Sequence, residues 1–217
     1  MTTWVENPRG GRDRGPRGLA RAWVEVLVRP RRFFRNGVAP GDQAPGLTFA
    51  VSVALVYLVT RFAFTPASVP LDVGRPLVSA AVSLLVAGII VAPLTLHLAS
   101  ALQTVILIAT VKDRAGVSET VQVVAYATAP CVLAGLPFPT LRVGCALWGF
   151  ALLVVGMATV HDTSLPRAAL AVFVPGLFVF GYAFGGVFAL ETVTGLELVS
   201  TEPPVAPADI GVDPGPS

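Results

Sequence analysis

Apolar residues dominate the middle of the chain and polar ones its two ends. A helix that crosses about 30 Å of hydrocarbon needs about 20 apolar residues. Five stretches fit that pattern: Leu47 to Phe64, Pro76 to Val111, Ser118 to Leu136, Leu141 to Val160, and Pro166 to Leu190. The second is too long for one untilted crossing, roughly 50 Å at 1.5 Å per residue. Splitting it at Ala92-Pro93 would leave two halves of about sixteen residues, each short of a span. Leu94-Thr95-Leu96 also lacks turn residues, and a proline inside a membrane helix usually marks a kink. The pattern therefore predicts one long, kinked second helix that projects past the membrane on the cytoplasmic side. The fold class expected is all-α: a polytopic membrane protein with a five-helix transmembrane bundle.

Before the first span, Leu19, Trp23, Val26 and Leu27 fall at helical spacing, with Arg21, Glu25 and Arg29 on the other side. Glu25 and Arg29 form a favourable i,i+4 pair. Pro30 ends or kinks this helix, and Phe33-Phe34 offers two aromatic anchors. The expectation is an amphipathic interfacial helix on the inner leaflet, with Arg21, Arg29, Arg31, Arg32 and Arg35 on anionic lipid headgroups. Packing of the same helix against the cytoplasmic ends of the spans is compatible with that.

Composition narrows the class. The chain of 217 residues is 54% hydrophobic and 13% charged, with a mean hydropathy of +0.74. Soluble domains carry about 25% charged residues, so too few charges are present to cover a water-facing surface. Ordinary soluble enzymes, disordered proteins and nucleic-acid binders are excluded as readings. Two cysteines and no CxxC or HExxH spacing argue against a disulfide scaffold or a metal site. No cofactor is expected. The first apolar run is not followed by a small-residue cleavage site, so no cleavable signal peptide is expected.

Charge then sets the topology. Residues 1–46 hold nine of the fifteen basic residues. Five spans with the amino terminus inside put those nine, Lys112, Arg114 and Arg167 on the cytoplasmic side, against Arg61, Arg75 and Arg142 at the outer side. A sixth span would move Lys112 and Arg114 outside, and the positive-inside rule opposes that. Three regions follow: a basic cytoplasmic segment 1–46, a membrane domain 47–190, and an acidic, proline-rich external tail 191–217 expected to be disordered. The protein is expected in the cell membrane.

The run Glu119-Thr120-Val121-Gln122-Val123-Val124-Ala125-Tyr126-Ala127-Thr128-Ala129-Pro130 is followed by Leu136-Pro137, by Trp148 and by His161-Asp162-Thr163-Ser164-Leu165-Pro166-Arg167. With Leu27-Val28-Arg29-Pro30-Arg31-Arg32-Phe33-Phe34 upstream, this resembles the Yip family of Ypt/Rab-interacting integral membrane proteins, in its prokaryotic branch, over about residues 20–190. The positions that carry the resemblance are Tyr126, Pro130, Trp148 and Arg167, while Ala125 stands where the family motif has glycine. The resemblance implies five spans, a cytoplasmic amino terminus, an outward carboxyl terminus and a role in membrane organisation or trafficking without catalysis. The acidic segment tied to partner binding in eukaryotic members has no counterpart, so Rab binding is not implied. The short basic amino terminus favours an archaeal or bacterial protein.

Several polar positions inside the spans are candidate sites, since polar groups in hydrocarbon are costly. His97, Ser100 and Thr104, with Gln103 beside them, form a polar stripe on the second helix, read either as interhelical hydrogen bonding or as a pathway. Arg61 near the outer face snorkels or pairs with Asp72 or Glu191. Tyr126 and Pro130, one turn apart in the third span, mark a kink, read either as packing or as a partner-recognising helix. Cys131 and Cys145 are expected as buried free thiols. Gly181 and Gly185 form a GxxxG helix-packing motif, within the bundle or in a homo-oligomer. His161-Asp162 reads as a turn, with Ser164 as N-cap. The preferred function is a non-enzymatic adaptor or organiser that binds lipid headgroups or a protein partner on the cytoplasmic side. The alternative is a small transporter or channel that uses the polar stripe.

Overall fold

The computed structural model describes residues 15–112 and 114–198, and their regular structure is all helical. Arg9, Arg12, Arg14 and most of the acidic tail lie outside the described residues.

A pair of short helices, α1 (Pro16–Val28) and α2 (Pro30–Gly37), precedes α3 (Ala44–Phe64). Of the two outcomes expected at Pro30, the amphipathic helix ends there, and a second short helix follows it. Arg29 leaves helical geometry at φ −134°, and Pro30, whose fixed φ suits a first turn, starts α2.

The long second stretch is one continuous helix, Pro76–Thr110. It comprises α4 (Pro76–Val86), a π-turn (Ala87–Val91) and α5 (Ala92–Thr110). Pro93 has no N–H, and the wider turn ahead of it absorbs the disruption: the Ala92 N–H reaches back five residues to the Ala87 carbonyl. One flank of this helix, with Ser83, Leu96, Ser100 and Gln103, is buried, and the other faces outward. Leu77, Leu85, Ile89 and Val105 are each more than 60% exposed, a surface suited to hydrocarbon and not to water.

α6 (Val117–Ala127) is the opposite case. Every residue from Thr120 to Ala127 is buried, because α6 packs against α3, α5 and α7 (Pro139–Val160). It gives way at Pro130 to a 3-10 turn (Ala129–Leu133), which rises about 2.0 Å per residue against 1.5 Å for an α-helix. The apolar segment Val117–Leu133 therefore reaches further than its length in an ordinary helix would allow.

α8 (Leu165–Gly176) runs into a second π-turn (Leu177–Ala183) just after Pro175, then breaks at Phe184-Gly185 before α9 (Gly186–Thr194). Among the described residues, four helices are long and apolar enough to cross a membrane: Ala44–Phe64, Pro76–Thr110, Pro139–Val160 and Leu165–Ala183. The shorter Val117–Leu133 runs through their centre.

Candidate functional site

The amino-terminal helix pair is built into the bundle. The Trp23 indole Nε1 donates to the Ala129 carbonyl at 2.8 Å. That carbonyl sits where α6 has lost its α-ladder beside Pro130, so the indole supplies a donor where regular structure ends. Phe33 and Phe34 are 2% and 1% exposed. They are not lipid anchors, as the sequence suggested, but core residues. The Phe33 ring stands edge-on to Tyr126 at 4.8 Å, and Phe49 of α3 meets the same tyrosine at 5.1 Å. Tyr126 thus joins α2, α3 and α6. Phe34 packs over Gly156 of α7, where an added Cβ would stand 2.9 Å from the Phe34 ring and 2.6 Å from Val123.

Gln122 pins the linker between α2 and α3. Its side-chain amide accepts from the Ala39 N–H at 3.1 Å and donates to the Ala39 carbonyl at 2.7 Å. The neighbouring Gly41 N–H donates to Ser118 Oγ at 2.7 Å. On the adjoining loop, His161 is buried, with Nε2 at 3.3 Å from Thr120 Oγ1. Burial pushes its imidazole down to about 4, against the pull of Glu119 and helped by Arg114. Asp162 beside it takes a positive φ of 44°, the tight turn that the sequence implied. Ser164 stands at the N-cap position of α8 without a side-chain capping bond.

With the apolar faces of α1 and α2 against the bundle, their other faces are left outward. Arg17, Arg21, Arg29, Arg31, Arg32 and Arg35 are all exposed, and Val24 and Val28 lie exposed among them. Lys112, Arg114 and Arg167 are exposed on the loops and helix start next to them. Arg31 and Arg32 occupy the first turn of α2, where the helix dipole disfavours positive charge and favours an anion.

The remaining expected positions are dispersed. His97 is exposed, with Nδ1 at 2.7 Å from the Pro93 carbonyl. Ser100 and Gln103 are buried instead, and Gln103 donates to the Ala171 carbonyl at 3.3 Å. Thr104 bonds back to the Ser100 carbonyl at 2.7 Å. Because His97 falls on the outward flank, the four residues do not line one path. Trp148 is 46% exposed on α7, and Pro130 is buried in the core.

Arg61 pairs with neither acid proposed for it. Its Nη1 donates to the Tyr57 hydroxyl at 2.9 Å, while Asp72 accepts from the Gly74 N–H and Glu191 from the Leu198 N–H. Gly181 and Gly185 do not share a helix face. Gly185 has a φ of 71°, a left-handed conformation that breaks the helix, and the close approach to α7 falls one residue later, at Gly186 against Ala146. Cys131 and Cys145 are both buried and unbridged.

The family model described as the Yip1 domain matches residues 24–187, well over half of the chain. No curated protein and no solved structure matches the chain.

Proposed function

The chain belongs to the Yip1 domain family and is a multi-pass integral membrane protein; from that premise we propose that it acts as a non-enzymatic membrane organiser whose working surface is the arginine face of α1 and α2. In this reading Val117–Leu133 is the fifth crossing, and the amino terminus is cytoplasmic with the carboxyl terminus outside. The observation that carries the proposal is a division of labour within two short helices. Phe33, Phe34 and Trp23 fix them to the bundle, while Arg29, Arg31, Arg32 and Arg35 stay exposed. A rigid array of guanidinium groups, with Val24 and Val28 at its edge, suits the phosphates of an anionic leaflet or an acidic partner docked there.

The transporter reading finds less support, because His97 faces away from Ser100 and Gln103. The test is photo-crosslinking in vesicles that mix phosphatidylglycerol and phosphatidylcholine. The wild-type protein should capture phosphatidylglycerol preferentially, and the preference should weaken as salt rises. At about 1 kcal/mol for each arginine, the triple variant R31A/R32A/R35A should lose tenfold or more of it. Capture that ignores both the salt and the three substitutions would refute the proposal.

A further inference from the structure

At the end of the bundle away from α1 and α2, a cavity of about 410 Å³ lies between α3, the π-turn of the long helix and the π-turn that follows α8. Loop residues Ser68, Pro70 and Leu71 line its outer part. It adjoins a deeper chamber of about 150 Å³, and the two share Tyr57, Leu58, Ala87, Val91 and Ala183. Ligand clefts commonly span about 300–1,000 Å³, so the outer cavity alone is of ligand size.

The two chambers differ in chemistry. The outer one contains Arg61, the Tyr57 hydroxyl and Ser83, and no carboxylate is among the described residues that line either chamber. Arg61 is half-buried, and a guanidinium has five N–H donors, of which Nη1 serves Tyr57. Ser83 is 4% exposed, and its Oγ has no hydrogen-bond partner. A buried hydroxyl in that state costs about 1–3 kcal/mol unless something comes to it. The deeper chamber is walled mainly by apolar side chains, Ala50, Ala54, Leu96, Val179 and Phe184 among them, which suit an acyl chain; its hydroxyls are those of Thr95, of Tyr57, and of Thr128, which already donates to the Ala125 carbonyl. Both π-turns contribute to the walls, and such turns are frequent at functional sites.

We propose that this cavity binds one anionic membrane lipid, its headgroup held by Arg61 with Ser83 and Tyr57, and one acyl chain laid in the apolar chamber. The site is separate from the arginine face of α1 and α2 and does not depend on it. Charge complementarity selects the headgroup, since Arg61 is the single charged residue lining the cavity among the described residues. The chamber beyond it selects a lipid over a free phosphate ester.

The test uses the full chain in nanodiscs of equal phosphatidylglycerol and phosphatidylcholine, followed by detergent washing and native mass spectrometry of retained lipid. Wild-type protein should keep phosphatidylglycerol over phosphatidylcholine by about tenfold or more. Arg61→Gln keeps a donor for Tyr57 and should abolish the preference; Arg61→Lys should restore part of it. Ala54→Phe, or Ala87→Leu if that variant misfolds, should fill the chamber and remove retained lipid of both kinds. R31A/R32A/R35A should leave retention unchanged, which separates this site from the one proposed above. Equal retention of the two lipids by the wild type, or retention indifferent to both Arg61→Gln and the chamber variants, would overturn the proposal. So would glycerol 3-phosphate that displaces the lipid at comparable concentration, because the chamber would then contribute nothing.

Discussion

His161 shows what single residues do at the loop end of the bundle. Its imidazole is held to about 4, below its ordinary 6.5, chiefly by burial. Between those values an unfolded chain takes up a proton that the folded one refuses, so stability is full above pH 6.5 and falls as pH drops toward 4. A shift of that size corresponds to at most about 3 kcal/mol. Thermal unfolding between pH 4 and 7 should show this loss in the wild type and a shallower one in His161→Gln; equal slopes would contradict it. The turn at His161-Asp162 was legible, because it lies between two apolar runs. The burial of His161 was not, since it depends on Thr120, 41 residues away. Gln122 was missed for the same reason: its partner Ala39 is 83 residues distant, and only a glutamine among valines hinted at a role. Arg61 is the opposite case: its partner Tyr57 stands at ordinary i,i+4 spacing, a contact that neither snorkelling nor pairing with Asp72 or Glu191 includes.

At the scale of elements, hydrophobic runs predict helix ends to within a few residues where lipid or core faces the helix throughout. They fail where a helix breaks for local reasons. The last apolar run predicts one helix to Leu190, but the helix stops at Gly185, whose left-handed φ no apolar pattern announces. The continuity of the long helix was legible, because Pro93 without turn residues permits a π-turn and not a hairpin. The amphipathic stripe of α1 was legible, and packing on protein was one of the two readings it allowed, because a stripe suited to lipid is equally suited to the side of α6. Gly156→Leu tests that docking. The side chain would collide with Phe34 and Val123, and overpacking of this kind costs about 1–3 kcal/mol. The expected result is a protein whose α3–α9 bundle persists while α1 and α2 become sensitive to limited proteolysis near Arg29 to Arg35. Resistance equal to wild type would show that the helix pair is held without Phe34.

For the whole molecule, composition and charge carried most of the inference. A low charge content pointed to the membrane, and the outward apolar side chains of the long helix agree with it. The centre of the bundle was harder to read. Val117–Leu133 is an apolar helix shorter than the length rule for a span and is enclosed by protein, a setting that a rule written for lipid-facing helices does not describe. If it crosses, the crossings are odd in number, and the arginine face and the carboxyl end lie on opposite sides of the bilayer. Labelling with a membrane-impermeant maleimide measures this directly, with Arg17→Cys and Glu197→Cys as single reporters, since Cys131 and Cys145 are buried. Glu197→Cys should label in intact cells and Arg17→Cys only after permeabilisation. Labelling of both from the same side would contradict the account.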